Sequence, residues 1–185
     1  MPIAVFTDEE DLASVARGDR DALARLYERH RRPLFSFIRR YAADPALAEE
    51  ILQDTLLVVW HQAGEFRGDS AVRTWLFGIA RRQAHNHLRK RVPEPVDIGE
   101  LPPQVEPGPG PDAHVLARLE LEEVNAVLDR LSDVHREVLT LAFAGDLSYE
   151  EMSVVLEVPV GTVKSRVANA RRQLGRLAPS REATG

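Results

Sequence analysis

The chain has 185 residues, of which 44% are hydrophobic and 29% charged, and its formal net charge is -5, a composition typical of a soluble globular protein. It contains no cysteine, which excludes disulfides, thiolate zinc sites and thiol redox chemistry within the chain. The longest apolar run, LLVVW at 56–60, is far shorter than a membrane span, and the N-terminus lacks a signal-peptide pattern. We therefore expect a cytoplasmic protein that does not bind a membrane.

The charge is unevenly distributed along the chain. Between Val92 and Ala113 there are five acidic residues and no basic one, so this stretch alone equals the net charge of -5. Two other stretches are almost purely basic, one from Arg81 to Arg91 and one from Lys164 to Arg181. An acidic overall balance thus conceals two cationic patches of the kind that bind nucleic acid.

The acidic stretch is also the predicted domain boundary. Residues 92–113 hold seven of the twelve prolines and three of the eleven glycines, a composition that cannot sustain a helix. A structureless loop of this length is improbable inside one compact domain. We therefore predict a flexible acidic linker at 92–113 between two small domains, residues 1–91 and 114–185, and both are expected to be all-α because neither shows strand alternation.

The N-terminal half carries several helix-start signals. Thr7 opens a T-x-x-E capping box, and Asp19 can cap a long amphipathic stretch that Pro33 should kink or break. Asp44 followed by Pro45 is typical of the start of another helix.

A turn at FRGDS precedes the last helix of this half. Either Asp69 or Ser70 can cap that helix, which extends through the basic residues to Arg91. Its apolar residues cluster in the first turns, and its later turns are basic.

The C-terminal half repeats the helical pattern. A helix is predicted at 115–131, Ser132 should start the next one, and Gly145 suits its left-handed C-terminal end. Ser148 and Glu151 form a second capping box.

The stretch SYEEMSVVLEVPVGTVKSRVANARRQL, from Ser148 to Leu174, predicts two helices joined by a short turn. One apolar stripe of the second helix should pack inward: Val163, Val167, Ala170, Leu174 and Leu177. The polar residues left outside can enter a major groove: Gly161, Thr162, Lys164, Ser165, Arg166, Asn169 and Arg172. An amphipathic hairpin with a solvated basic face is the alternative, but the absence of any acid from 161 to 181 favours a DNA reader.

These residues resemble region 4 of the bacterial sigma-70 family, in its extracytoplasmic-function (ECF) group. The stretch AEEILQDTLLVVWHQAGEFRGDSAVRTWLFGIARRQAHNHLRKR resembles region 2 of the same group, and the two motifs occur in the family's order. The resemblance implies an initiation factor that binds core RNA polymerase, directs it to promoters and promotes DNA melting. An anti-sigma factor is a possible further partner.

The resemblance also implies a role for each surface. One helix would dock on the clamp helices of the polymerase beta-prime subunit through Ile51, Gln53, Asp54, Leu57 and Trp60, of which Ile51 and Trp60 fit a core position equally well. The region-4 domain would bind the beta flap, and its second helix would read the minus-thirty-five element.

The turn at FRGDS and the helix after it resemble the part of the family that captures an unstacked minus-ten base and follows the melted strand. The candidates are Phe66, Arg67, Asp69, Ser70, Thr74, Trp75, Arg81, Arg82, His85, Asn86 and Arg89. For Trp75 a core position is the stronger alternative. Departures from the common family pattern at Gly78, Arg82, Asn86 and Asn169 leave the promoter sequence open.

Enzyme functions find no support in the sequence. There is no catalytic constellation and no glycine-rich phosphate loop, so we expect no cofactor and no metal site. His85 and His87 are two residues apart and point to different sides of a helix, which makes a shared metal difficult. The remaining alternatives are an autonomous helix-turn-helix repressor or activator, and a decoy that binds polymerase without reading promoters.

Overall fold

The computed structural model describes residues 6–91 and 130–177, and every element of regular secondary structure in these two segments is a helix. In the first segment the elements are α1 (Asp8–Val15), α2 (Arg20–Ile38), α3 (Pro45–Gln62), a 3-10 turn (Ala63–Glu65) and α4 (Val72–Arg91). In the second they are α5 (Asp133–Phe143), α6 (Tyr149–Leu156) and α7 (Val160–Leu177). The predicted all-α fold is therefore confirmed for both segments, whereas the linker at 92–113 and most of the helix expected at 115–131 lie outside the described residues.

The predicted helix starts follow from local capping chemistry. Thr7 Oγ1 accepts from the Glu10 backbone N–H at 3.2 Å, and the Thr7 N–H donates to Glu10 Oε2 at 2.9 Å. Ser148 and Glu151 repeat this reciprocal arrangement at 3.2 and 2.8 Å. Both capping boxes are thus confirmed, and each satisfies two backbone donors that a helix end would otherwise leave without partners.

Two other predicted starts are also confirmed, and one helix differs from expectation. Asp19 and Asp44 both accept backbone hydrogen bonds as N-caps, with Pro45 in the first turn of α3. Pro33, by contrast, lies inside one continuous α2 that runs from Arg20 to Ile38, so the helix is not broken there. Burial of Leu34 and Phe37 just beyond the proline keeps the helix packed through this point.

The end of α5 departs from the prediction in its backbone geometry. The left-handed residue is Asp146, with φ of 49°, and not Gly145. Gly145 is required for another reason, because a Cβ there would lie 2.7 Å from the Leu141 carbonyl oxygen and 3.1 Å from Phe77 Cζ. The glycine therefore allows the end of α5 to approach α4 closely.

Each segment buries its own apolar stripe. In the first, α2, α3 and α4 enclose a core in which Phe37, Ile51 and Phe77 are wholly buried. In the second, the predicted stripe of α7 is buried at Val163, Val167, Ala170 and Leu174, while the side chain of Leu177 lies outside the described residues. Among the helices of 6–91 and 130–177, none combines the length and apolarity needed to cross a bilayer.

A buried carboxylate fixes α1 against α2. Asp11 has no exposed side-chain surface; Arg25 Nη2 lies 2.6 Å from its Oδ1, and Arg29 donates to its Oδ2. Burial alone would raise the pKa of Asp11, but the hydrogen bonds and positive charges of the two arginines hold that pKa below its ordinary value. The negative charge of Asp11 is therefore part of the packing between these helices.

We predict that Asp11→Ala lowers the free energy of unfolding of the N-terminal bundle by about 1–3 kcal/mol. The loss is smaller than for a fully buried pair because both arginine side chains remain about one-third exposed, at 36%. Both tryptophans, Trp60 and Trp75, belong to this bundle, so denaturant titration followed by their fluorescence measures its stability.

The matched control is Glu28→Ala, which also removes one carboxylate from this pair of helices. Glu28 is 69% exposed and lies 3.9 Å from Arg31, so its loss should change stability little. Equal effects of the two substitutions would contradict the role assigned to Asp11.

Candidate nucleic-acid and polymerase surfaces

The helix α4 has an apolar side that packs into the N-terminal bundle and a polar side that does not. Val72, Leu76, Ile79 and Ala84 are buried at helical spacing. On the other side Arg82 and Arg89 are exposed and Asn86 is half-buried. Arg89 donates to Asn86 Oδ1 at 2.9 Å, so these three predicted residues form one polar, cationic row that we call the outer row of α4.

The turn before α4 carries Phe66, whose ring pairs with that of Trp75 in the first turn of α4, and helical spacing puts Trp75 on the same side of α4 as Arg82. The rings of Phe66 and Trp75 are 5.4 Å apart at an angle of 60°, and both rings pack partly against the core. Trp75 is thus part of the packing and still partly accessible. Arg67 and Asp69 are strongly exposed and lie 3.6 Å apart, and Ser70 ends the turn just before the helix.

The other predicted residues of α4 face the second segment. Thr74 Oγ1 donates to Glu151 Oε1 at 2.9 Å, and Arg81 Nε donates to Glu137 Oε1 at 2.9 Å. Tyr41 also donates to Glu137 through its hydroxyl group. Thr74 is only 1% exposed.

These contacts involve residues that the sequence did not single out for this surface. Glu151 is recognisable as part of a capping box, but its contact with Thr74 spans 77 positions of the chain. Glu137 and Tyr41 carry no motif, and only the tertiary arrangement brings them to Arg81. No local pattern could have indicated this cluster.

The contacts among Tyr41, Arg81 and Glu137, with His85 beside them, change the pKa values of three of these side chains. Burial raises the pKa of Tyr41, and the adjacent charge of Glu137 raises it further. Burial would lower the pKa of Arg81, but the charge of Glu137 and its hydrogen bond raise it overall. Burial, followed by the nearby charge of Arg81, lowers the pKa of His85, whose ring lies 5.2 Å from that of Tyr41. The tyrosine is therefore neutral and the arginine charged near neutral pH.

Helix α3 offers the residues expected to face the polymerase. Gln53 is exposed, Asp54 is partly exposed, and Leu57 retains 58% of its surface, which is unusual for a leucine in a folded bundle. Ile51 is wholly buried and belongs to the core, and Trp60 is half-buried against it.

Asp54 also connects α3 to α4. Its Oδ2 lies 2.7 Å from Nε2 of His87, a buried residue of α4. His87 thus points away from the outer row and toward the bundle. Within the described residues, no group of three or more histidine or carboxylate side chains is arranged to hold a metal ion.

Helix α7, the second helix of the helix-turn-helix, carries the polar residues predicted to enter a major groove. Gly161 and Lys164 are exposed, whereas Thr162, Ser165, Arg166, Asn169 and Arg172 are half-buried. A Cβ on Gly161 would meet no atom of residues 6–91 or 130–177, so nothing in these segments requires a glycine there. The Lys164 ammonium lies 6.0 Å from the centre of the Tyr149 ring, and Arg172 donates to Asn169.

The turn that sets the angle between α6 and α7 uses a left-handed residue. Glu157 has φ of 57° and ends α6, and the Val158 carbonyl accepts a hydrogen bond from Ser153 Oγ at 2.6 Å. The following Val160 begins α7. The left-handed turn thus separates α6 from α7.

The imidazole of His135, in α5, contacts helix α7. His135 Nδ1 lies 3.0 Å from Ser132 Oγ and 3.1 Å from Gln173 Oε1 of α7. Burial lowers the pKa of His135; the hydrogen bond to Gln173 raises it, and the charge of Arg166 lowers it again, with a lowered pKa overall. The folded domain therefore favours neutral His135.

A histidine with a lowered pKa contributes its full stability above the unfolded value of about 6.5 and loses it as pH falls through that value toward the folded one. We predict that the C-terminal domain of the full chain is less stable at about pH 5.5 than at about pH 7.5, and that His135→Gln reduces this difference. Urea unfolding followed by circular dichroism measures it.

The matched control for this prediction is His61→Gln, at an exposed position of α3. It should leave the pH dependence of the C-terminal domain as in the wild type. A pH dependence that His135→Gln and His61→Gln alter equally would contradict the role of His135.

Comparison with known families agrees with this geometry. Residues 26–93 match the model for Sigma-70 region 2, and residues 121–174 match the model for Sigma-70, region 4. The two matches coincide with the bundle that carries α4 and with the helix-turn-helix. The class defined by these two matches is a sigma-70-type transcription initiation factor, and the residues that the structure describes in both regions are helical.

Full-length relatives specify the family. The chain is 33% identical over 180 residues to the RNA polymerase sigma factor NccH of Alcaligenes xylosoxydans xylosoxydans, covering 94% of this chain and 95% of NccH. It is 32% identical over 179 residues to the ECF RNA polymerase sigma factor RpoE of Cereibacter sphaeroides, covering 91% and 95%.

A solved structure extends the similarity to three dimensions. The sigma factor RpoE from Bartonella quintana, in a co-crystal structure with the anti-sigma factor NepR, has a TM-score of 0.62 and 29% identity. The match covers 80% of this chain and 91% of that one. The chain belongs to the sigma-70 family of RNA polymerase sigma factors, in the ECF group, and directs RNA polymerase to promoters.

Proposed function

We propose that residues 1–91 form the unit that docks on polymerase and captures the melted minus-ten strand, and that residues 114–185 form the unit that reads the minus-thirty-five element, with 92–113 as the connection. The observation that carries this proposal is the outer row of α4. It is cationic and accessible, and it shares one side of α4 with Trp75 of the Phe66–Trp75 pair. Its arginines can therefore bind the phosphates of a strand whose bases stack on the two aromatic rings.

Capture of a single strand requires two kinds of contact. Arg82 and Arg89 can hold phosphates, and Asn86 can hydrogen-bond to a base edge. The exposed turn with Arg67, Asp69 and Ser70 borders the place where an unstacked base would enter, beside Phe66 and Trp75. This arrangement supports strand capture more directly than duplex reading, because the aromatic pair is useful only to an unstacked base.

We predict that replacing Arg82 and Arg89 together by alanine reduces run-off transcription at least tenfold, because two phosphate contacts are lost. The assay uses core polymerase, the full chain and a promoter identified by mapping transcription starts after overexpression. The matched control replaces Arg31 and Arg32, two exposed arginines of α2, by alanine. Equal activity of the two double variants would contradict the proposal.

The exposed start of α7 is the proposed minus-thirty-five reader. Thr162, Lys164 and Ser165 lie in its first turns, where side chains can reach base edges in a major groove. Arg166, Asn169 and Arg172 follow along the same helix, with Gly161 at its start allowing close approach of the backbone.

The exposed part of α3 is the proposed contact with the clamp helices of the polymerase beta-prime subunit. Leu57 supplies apolar area, Gln53 and Asp54 supply polar contacts, and Trp60 contributes at the edge. Ile51 acts from within the core by holding α3 in place. Contact of the C-terminal domain with the beta flap is proposed from the family resemblance.

We predict that Leu57→Asp weakens binding to core polymerase at least tenfold, since it places a charge in an apolar contact. Fluorescence anisotropy of the labelled chain titrated with core enzyme measures this. Ala24→Asp is the matched control, because it adds the same charge at an exposed helical position of α2. If both variants bind core polymerase like the wild type, α3 is not the docking surface.

Three further proposals concern a protein partner, the cellular location and catalysis. The relative RpoE from Bartonella quintana is bound by an anti-sigma factor, and we infer a comparable protein partner for this chain. We propose that the chain works in the cytoplasm and contributes no catalysis, since the polymerase supplies the nucleotide chemistry. An autonomous repressor is not favoured, because it gives no role to the match with Sigma-70 region 2.

A further inference from the structure

The C-terminal domain covers one edge of α4. Arg73, Thr74, Phe77 and Arg81 follow each other at helical spacing and form a stripe that faces α5, α6 and the turn between them. This stripe lies beside the outer row of α4. Helix α4 thus has three sides, one in the bundle, one against the C-terminal domain and one open.

Three polar contacts of this covered stripe each place a carboxylate against a donor of α4. Glu137 accepts from Arg81 at 2.9 Å, and Glu151 accepts from Thr74 at 2.9 Å. Asp146 lies 3.4 Å from Arg73. Carboxylates thus stand where the phosphates of a bound strand would supply the same kind of acceptor.

The contacts differ in strength. The side chains of Arg81 and Glu137 are 23% and 13% exposed, so their attraction is only partly screened by water. The tyrosine hydroxyl of Tyr41 adds a second donor to the same carboxylate. Asp146 is 88% exposed, and its pairing with Arg73 contributes little. The Arg81–Glu137 pair is therefore the strongest polar contact of the stripe, beside the apolar packing of Phe77 at Gly145.

We propose that the C-terminal domain is an internal competitor of the melted DNA strand, with Glu137 and Glu151 occupying Arg81 and Thr74 until the two domains separate. This inference rests on the proposed function of α4. While the contact is closed, Thr74 is inaccessible and Arg81 is neutralised, so only the outer row remains for DNA. The free chain then binds single strands weakly, and engagement of both domains by core polymerase releases the stripe.

The first test measures separation of the domains without any DNA. The chain has no cysteine, so Glu50→Cys in α3 and Val154→Cys in α6 introduce two exposed sites for spin labels. We expect a narrow distance distribution in this labelled parent and a longer, broader one after adding Glu137→Ala. Adding Glu150→Ala instead removes the same charge from an exposed site of α6 and should leave the distribution unchanged.

The second test measures access to α4. Unlabelled full-length chains with Glu137→Ala or Glu150→Ala are titrated against a fluorescein-labelled oligothymidylate. We expect about fivefold tighter binding for Glu137→Ala than for Glu150→Ala, although the two have the same net charge. Tyr41→Phe keeps the ring packing and the net charge, and should shift both readouts in the same direction by less.

The outcomes separate the two proposals. Unchanged distances in both Glu137→Ala and Tyr41→Phe would overturn the internal contact itself. Longer distances without tighter DNA binding would overturn competition for the strand. Failure of the proposed function is detected independently, because it abolishes the effect of the Arg82 and Arg89 substitutions on run-off transcription.

Discussion

The structure depends on helix α4, whose three sides have three different surroundings: the N-terminal bundle, the C-terminal domain and solvent. Helix α4 must bury Val72, Leu76 and Ile79 in the N-terminal bundle, or the bundle loses its core. The same helix carries a cationic outer row and a stripe that contacts carboxylates of the other domain. Because helical residues three and four apart share a side, a change of one residue in register would place arginines in the core.

This division explains how an acidic chain can act on a polyanion. Residues 92–113 carry a net charge equal to that of the whole chain, so acidic and basic residues balance elsewhere, and the surfaces assigned to DNA are locally positive. Local fields, more than net charge, decide where a strand can bind. In our proposal the acidic residues of the C-terminal domain also delay that binding until polymerase is present.

Features of local origin were predictable from the sequence. The capping boxes at Thr7 and Ser148 and the proline start at Pro45 depend on residues within one turn of each other, and all are confirmed. The buried stripe of α7 also follows from spacing alone. Family resemblance then supplied roles that spacing cannot supply, and the matches to both sigma regions confirm the family.

Features that depend on tertiary contacts were not predictable. Glu137 and Tyr41 meet although they are 96 positions apart, and neither belongs to a motif. Gly145 was correctly marked as special but for the wrong reason, since its role is to admit Phe77 and the Leu141 carbonyl and not to adopt a positive φ. Pro33 was expected to kink or break a helix that in fact runs without a break from Arg20 to Ile38.

The central claim is that the outer row of α4 holds a melted promoter strand. The most direct measurement places a photo-crosslinking amino acid, p-benzoylphenylalanine, at position 82 and irradiates the open complex formed with core polymerase. We expect crosslinks from position 82 to one strand within the melted minus-ten region. A melted promoter whose crosslinks from position 82 go only to protein, or only to duplex DNA upstream, would contradict it.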